Sequence, residues 1–179
     1  MKVILGAGGT TQDGWVSTER HQIDVTKRED FERFFGDEKA DAFLMEHLLE
    51  HLCAEDVDAA LANCYEFMKP FGNLRIAVPD GYHPDKDYIE WVRPGGNGPG
   101  CDLHKQLFNR DVLGADLERH GFMYINTEWW DCHGNFNHYN NGSEEERFGR
   151  ISRSFANDER NADGNPHYTS LIIDAWKEK

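Results

Sequence analysis

Lys2-Val3-Ile4-Leu5 is a short apolar strand that runs directly into Gly6-Ala7-Gly8-Gly9. Glycine adopts positive φ and carries no Cβ, so such a turn lets bare backbone N–H groups close on a ligand, commonly a nucleotide-like cofactor. Ordinary hairpins use the same residues, so the remainder of the chain has to decide between the two readings.

Up to residue 80, strand and helix signals alternate. Trp15-Val16-Ser17-Thr18-Glu19 predicts a second strand and Ile23-Asp24-Val25 a brief third. Thr26-Lys27-Arg28-Glu29 has the form of a capping box, and Phe31, Phe34 and Phe35 give the next helix an apolar side that stops at Gly36. Ala40 to Met45 reads as a parallel strand covered on both faces. Residues 55–68 are amphipathic, with Val57, Ala60, Leu61, Cys64 and Met68 on one stripe. Lys69-Pro70-Phe71-Gly72 reads as a turn and Asn73 to Val78 as a further buried strand. This alternation predicts an α/β protein.

The second half differs in texture. Residues 80–108 are rich in Gly, Pro, His and aromatics and read as a long loop. Asn109 is placed to cap a helix carrying Val112, Leu113 and Leu117, which Gly121 stops, and Phe122 to Trp130 reads as a strand. Residues 131–166 are polar, with turn signals at Asn140-Asn141-Gly142 and Asp163-Gly164-Asn165-Pro166, and Tyr168 to Trp176 makes a final strand. The expected organisation is a single domain over 1–179 with loop insertions at 80–108 and 131–166. Insertions of this length inside a compact domain are usually functional covers or disordered.

An excess of acids, 33 Asp+Glu against 19 Lys+Arg, leaves a net charge of -14. That charge opposes nucleic acid and anionic membrane as partners and favours a small-molecule substrate. Four cysteines without a CxxC pair, and no charged-then-apolar leader, predict reduced thiols and a cytoplasmic setting. A homodimer is left open.

The order of Leu5-Gly6-Ala7-Gly8-Gly9, Gly14-Trp15-Val16-Ser17-Thr18-Glu19, Glu46-His47-Leu48-Leu49-Glu50-His51-Leu52 and Met68 to Asp80 resembles the class I S-adenosylmethionine-dependent methyltransferases, in particular the small type 11 group. The match is good over roughly residues 1–80; beyond that it holds only as helix, strand, insertion and last strand. The resemblance implies a Rossmann-like fold with a mostly parallel twisted sheet and an antiparallel C-terminal strand. It also implies S-adenosyl-L-methionine as cofactor and methyl transfer as the reaction. Gly6, Ala7 and Gly8 would pass under the methionine part, and Glu19 would accept the ribose hydroxyls. Asp24 would meet the adenine amino group and Glu46 the methionine end. His47 is the first candidate for a general base, with His83 and His104 next, and Asp80, Tyr88 and Trp91 are placed to bind the acceptor. Two departures stand out. Only Gly6 to Gly14 separate the first two strands, so a shortened connection without a full helix is expected, leaving one sheet face less covered. Phe71 replaces a glycine common in the turn before the fifth strand.

Other chemistries share parts of this pattern. His47-x-x-Glu50-His51 has the form of an inverted zinc-protease motif and so supports a zinc-dependent hydrolase as a rival. Its simpler reading is that Glu50 and His51 brace the strand-to-helix turn. Cys101, His104, Cys132, His133 and His138 would suit zinc if the long loops met, but their spacing gives little support and no metal is expected. A nicotinamide-dependent oxidoreductase shares the glycine turn and the strand-end acid, yet the third spaced glycine and the receiving helix are missing. A non-catalytic adenosyl-binding domain is the remaining alternative.

Overall fold

In a computed structural model, described here for residues 1–139 and 145–178, one sheet organises the chain. Its strands are β1 (Lys2–Leu5), β2 (Trp15–Thr18), β3 (Ala40–Glu46), β4 (Met68–Pro79), β5 (Met123–Trp130), β6 (Phe136–His138) and β7 (Ser170–Trp176). They lie in the order β2-β1-β3-β4-β7-β5-β6. The first four run parallel, whereas β7 is antiparallel to β4 and β5, and β6 to β5. The carboxyl ends of β1 to β4 therefore share one edge with the start of β7 and the end of β5.

Alternation along the strands divides the interior in two, because successive side chains point to opposite faces. Val3, Leu5, Phe43, Met45, Ile76, Val78, Leu171 and Ile173 face one side. There they meet Phe31 and Phe35 of α1 (Arg28–Phe35), Val57, Leu61 and Cys64 of α2 (Ala54–Phe67), and Leu113 and Leu117 of α4 (Arg110–Arg119). Ile4, Leu44, Ala77 and Ile172 face the other side, where Ala7, Trp15 and Ile151 cover them. No helix occupies residues 6–14, as the short connection requires. The face it leaves is nevertheless covered, contrary to expectation, by the chain that follows α5 (Glu145–Phe148). A Cβ on Gly149 would stand 2.9 Å from Leu44 Cδ2, so this segment lies directly on the sheet.

Several local expectations are corrected. Ile23-Asp24-Val25 is buried but forms no strand; Val25 uses its carbonyl to accept from Asn63 Nδ2 at 2.9 Å instead of pairing in the sheet. Thr26 does not cap α1: its hydroxyl donates to Asp24 Oδ1 at 2.8 Å, and Lys27 takes the cap position without a side-chain bond. The turn at 69–72 is absorbed into β4 as a bulge in its pairing with β3. Phe71 adopts φ 61° there and is exposed, which explains why glycine suits that position. The 80–108 loop contains a helix, α3 (Lys86–Val92), started by Asp85, whose side chain accepts from the Asp87 N–H. Asn109 caps α4 as expected, accepting from the N–H groups of Asp111 and Val112, although Val112 itself points to solvent. The Asn140-Asn141-Gly142 turn signal lies outside the described residues. Among the described residues no helix is long and apolar enough to cross a membrane.

Candidate active site

The glycine turn leaves β1 at the carboxyl edge. Gly6 has φ 63°, a conformation that favours glycine, and a Cβ there would stand 2.6 Å from Leu48 Cδ1, so that side chain would have to shift. The turn folds back on β2: Ala7 N–H donates to the Thr18 carbonyl at 2.9 Å, and Gly9 N–H to Glu19 Oε1 at 3.1 Å. The Glu19 carboxylate, one residue past β2, thus faces the glycine turn. Beyond it opens a groove of about 940 Å³ lined by Glu19, His21, Asp24 and Asp30 with the cations Arg20, Lys27 and Arg33. Asp24 is buried in its wall, and its carboxylate accepts from Thr26 N–H, Thr26 Oγ1 and Arg20 Nε. Burial pushes that carboxyl up, but the hydrogen bonds of Thr26 and Arg20 outweigh it and hold it below its ordinary value.

At the end of β3 the chain turns sharply. His47 takes φ 53°, a conformation that side chains rarely adopt. Its Nδ1 meets Glu50 Oε1 at 2.9 Å and its Nε2 meets Ser170 Oγ at 3.0 Å, with both His47 and Glu50 side chains buried. Burial pushes the Glu50 carboxyl up, but the hydrogen bond and charge of His47 hold it below its ordinary value. His47-x-x-Glu50-His51 is not an α-helical pair of ligands, since residues 49–51 form a single 3₁₀ turn and His47 reaches the other way, to β7.

The chain after α5 is strapped across this edge. Gln12 exchanges two hydrogen bonds with the backbone of Arg150, at 2.7 and 2.8 Å, which ties the strap to the loop after the glycine turn. Glu46 Oε1 accepts from Ser152 Oγ at 2.5 Å and Arg153 N–H at 2.8 Å. Glu128 Oε1 and Oε2 accept from Phe155 N–H, and Oε1 also from Ser170 N–H. Burial raises the Glu128 carboxyl to about 8 despite those donors. Asp80, also buried, receives the N–H groups of Tyr82 and Trp130, and burial raises it to about 6.

Two of the remaining candidates, Tyr88 and His83, lie beside Asp80. Tyr88 is buried, donating its hydroxyl to the Thr169 carbonyl and accepting from Asp80 N–H. His83 stacks on Tyr88 with ring centroids 3.9 Å apart, and burial lowers its imidazole to about 4. Trp91 is 45% exposed on α3. His104 lies apart from His83's ring stack, packed edge-on against His51. Cys132 is exposed, His133 sits in a turn held by Asp131, and His138 packs on Phe136 and Phe155.

Sequence reasoning missed Glu128, Ser170 and the strap. Glu128 carried a usable signal, an acid inside the aromatic strand Glu128-Trp129-Trp130. Ser170 and Ser152 carried none, because their meaning depends on which distant residue they meet.

No protein-family model matches the chain, and none of the curated proteins does. Solved structures do match. A SAM-dependent methyltransferase from Archaeoglobus fulgidus is 15% identical with a TM-score of 0.54, over 98% of this chain and 85% of that one. An O-methyltransferase family protein from Burkholderia thailandensis is 11% identical with a TM-score of 0.56; the match takes in 99% of this chain but only 51% of that one, about half its length. An S-adenosylmethionine-dependent methyltransferase from Mesorhizobium loti is 11% identical with a TM-score of 0.53, over 98% and 90% of the two chains. The likeness is one of fold: the chain has the Rossmann-like α/β fold of class I methyltransferases, with a shortened link between its first two strands.

Proposed function

We propose that the protein binds S-adenosyl-L-methionine and transfers its methyl group to a small-molecule acceptor. The observation that carries this reading is the Glu19 carboxylate, held at the end of β2 against Gly9 of the glycine turn. A carboxylate with free lone pairs suits two neighbouring ribose hydroxyls. In this reading the methionine part lies over Gly6, Ala7 and Gly8 with its amino group toward Glu46, and the adenine enters the groove beside Asp24. The carboxyl edge of a parallel sheet is where open α/β folds bind ligands.

The sulfonium supplies a strong electrophile, so the protein's task is alignment and exclusion of water. The strap over Glu46 and Glu128 is suited to closing the acceptor site. His47 is the first choice for a proton acceptor. Glu50 orients its ring at the sharp turn that follows β3, beside the carboxyl edge. His83, which burial keeps neutral, and His104 stand behind it. Asp80, Tyr88 and Trp91 are assigned to the acceptor side. The net charge of -14 disfavours nucleic acid as acceptor.

Calorimetric titration of the full chain with S-adenosylhomocysteine and, separately, with NAD tests the proposal. Saturable binding of the first without the second is expected. Binding of NAD, or of neither, would overturn it.

A further inference from the structure

The loop that follows α3 folds back onto the 3₁₀ turn after β3. Lys105 N–H donates to the Glu50 carbonyl at 2.7 Å, and Gln106 Nε2 to the Leu52 carbonyl at 2.9 Å. These bonds bring the His104 ring edge-on against His51, with centroids 4.8 Å apart. The Glu50 carboxylate completes the group: one ligand atom from each of Glu50, His51 and His104 lies within 4.8 Å of the others. Each of the two metal patterns considered in the sequence contributes a part, Glu50 and His51 from one and His104 from the other.

Three features separate this group from a chance meeting of polar side chains. Glu50 is 1% exposed, and while its Oε1 is taken by His47, its Oε2 has no hydrogen-bond partner among the described residues. A buried, unpartnered carboxylate oxygen is costly, and a cation relieves that cost directly. His104 Nδ1 lies 2.6 Å from the Val92 carbonyl, which can only accept, so Nδ1 carries the proton and Nε2 is left with a lone pair. A backbone carbonyl behind one ring nitrogen is the arrangement that orients metal-binding imidazoles. His51 is half-buried with its ring edge-on against His104, so both imidazoles are held beside the Glu50 carboxylate.

We propose that Glu50, His51 and His104 form a binding site for a divalent transition-metal ion of the zinc type. Two imidazoles and one carboxylate favour zinc, cobalt or nickel over magnesium or calcium, and three protein ligands leave a fourth position for water. Metal–ligand bonds of about 2.0–2.2 Å place the ligand atoms of a tetrahedral ion roughly 3.4 Å apart, so the ligand atoms, now within 4.8 Å of one another, close in by up to about 1.4 Å. The backbone pairing of Lys105 with Glu50 already holds them in register. With Oε2 on the ion, Oε1 stays on His47, and the site links the loop after α3 to the histidine at the carboxyl edge.

Titration of the metal-stripped, tag-free full chain with zinc against a chromogenic chelator tests this, with cobalt substitution and X-ray absorption to identify the ligands. One equivalent is expected to bind, with a nitrogen and oxygen shell that contains no sulfur. His51→Ala and His104→Ala should each weaken binding at least tenfold, and Cys132→Ser should not change it. Because His51 is half-buried, His104→Gln serves as the second variant if His51→Ala does not fold. No zinc binding by the folded chain, a sulfur-containing shell, or affinity unchanged in both His104 variants would overturn the proposal.

Discussion

Arg75 on β4 and Asp174 on β7 meet as a two-bonded pair, Nε to Oδ1 at 2.6 Å and Nη2 to Oδ2 at 2.7 Å, buried on the sheet face that α5 and the segment after it cover. Arg75 also donates from Nη1 to the Gly149 carbonyl at 2.6 Å and lies under the Phe148 ring. The pair therefore anchors the strap as well as the two strands. Removing one partner leaves a buried charge uncompensated, so Asp174→Ala is expected to cost about 3–5 kcal/mol in urea unfolding. Replacing both with leucine should recover most of that loss. Equal losses in the single and double variants would show that the pair itself is not what matters.

The carboxyl edge should make stability fall with rising pH. The folded-state value of Glu128 is raised by burial to about 8, with the like charges of Asp80 and Asp158 adding to the rise, so the native state holds a proton that the unfolded chain has lost. That contribution is complete below the unfolded value and is lost as pH rises through about 8. Asp80, raised to about 6, adds the same sign over a lower window. His83, lowered to about 4, has the opposite sign: its contribution is complete above its unfolded value and is lost as pH falls. The fall is therefore clearest between pH 6.5, the ordinary imidazole value below which His83 opposes it, and about 8, where Glu128 loses its proton. Glu128→Gln should flatten it there, read as the slope of unfolding free energy against pH.

Gly6 and Gly8 should respond differently to alanine. Both have positive φ, but a Cβ at Gly6 meets Leu48 Cδ1 at 2.6 Å whereas one at Gly8 meets nothing within 4 Å. Gly8→Ala is expected to cost about 1 kcal/mol from backbone strain alone, and Gly6→Ala about 2–3 kcal/mol. Thermal unfolding of the two variants side by side checks the order.

The strap depends on Glu46. Glu46→Ala removes the acceptor of both Ser152 Oγ and the Arg153 N–H, so amide exchange at Arg153 should accelerate at least tenfold. Phe155 N–H, held by Glu128, should change far less. Equal acceleration at both would mean that the strap opens as a unit.

What was legible in the sequence was local. The glycine turn, the parallel strands around Phe43 and Ile76, the α2 stripe and the Asn109 cap follow from periodicity and from single-residue chemistry. Ile23 to Val25 misled because three alternating residues look like a strand whether or not a neighbour offers a ladder. Thr26 misled because Asp24 competes for its hydroxyl. The cover over Leu44 and Ala77 comes from residues more than a hundred positions away, and no local pattern in a polar insertion announces it. At the edge, Glu19 and Glu46 were legible as strand-end acids. Their present partners, Gly9 and the strap, were not.

The most direct measurement of the central claim is equilibrium dialysis of radiolabelled S-adenosylhomocysteine against the wild-type chain and Glu19→Ala. Hydrogen bonds to a charged group contribute about 1.5–3 kcal/mol, so the account predicts binding by the wild type and a loss of at least about tenfold in the variant. Equal affinity of the two proteins, or no binding by the folded wild type, would contradict it.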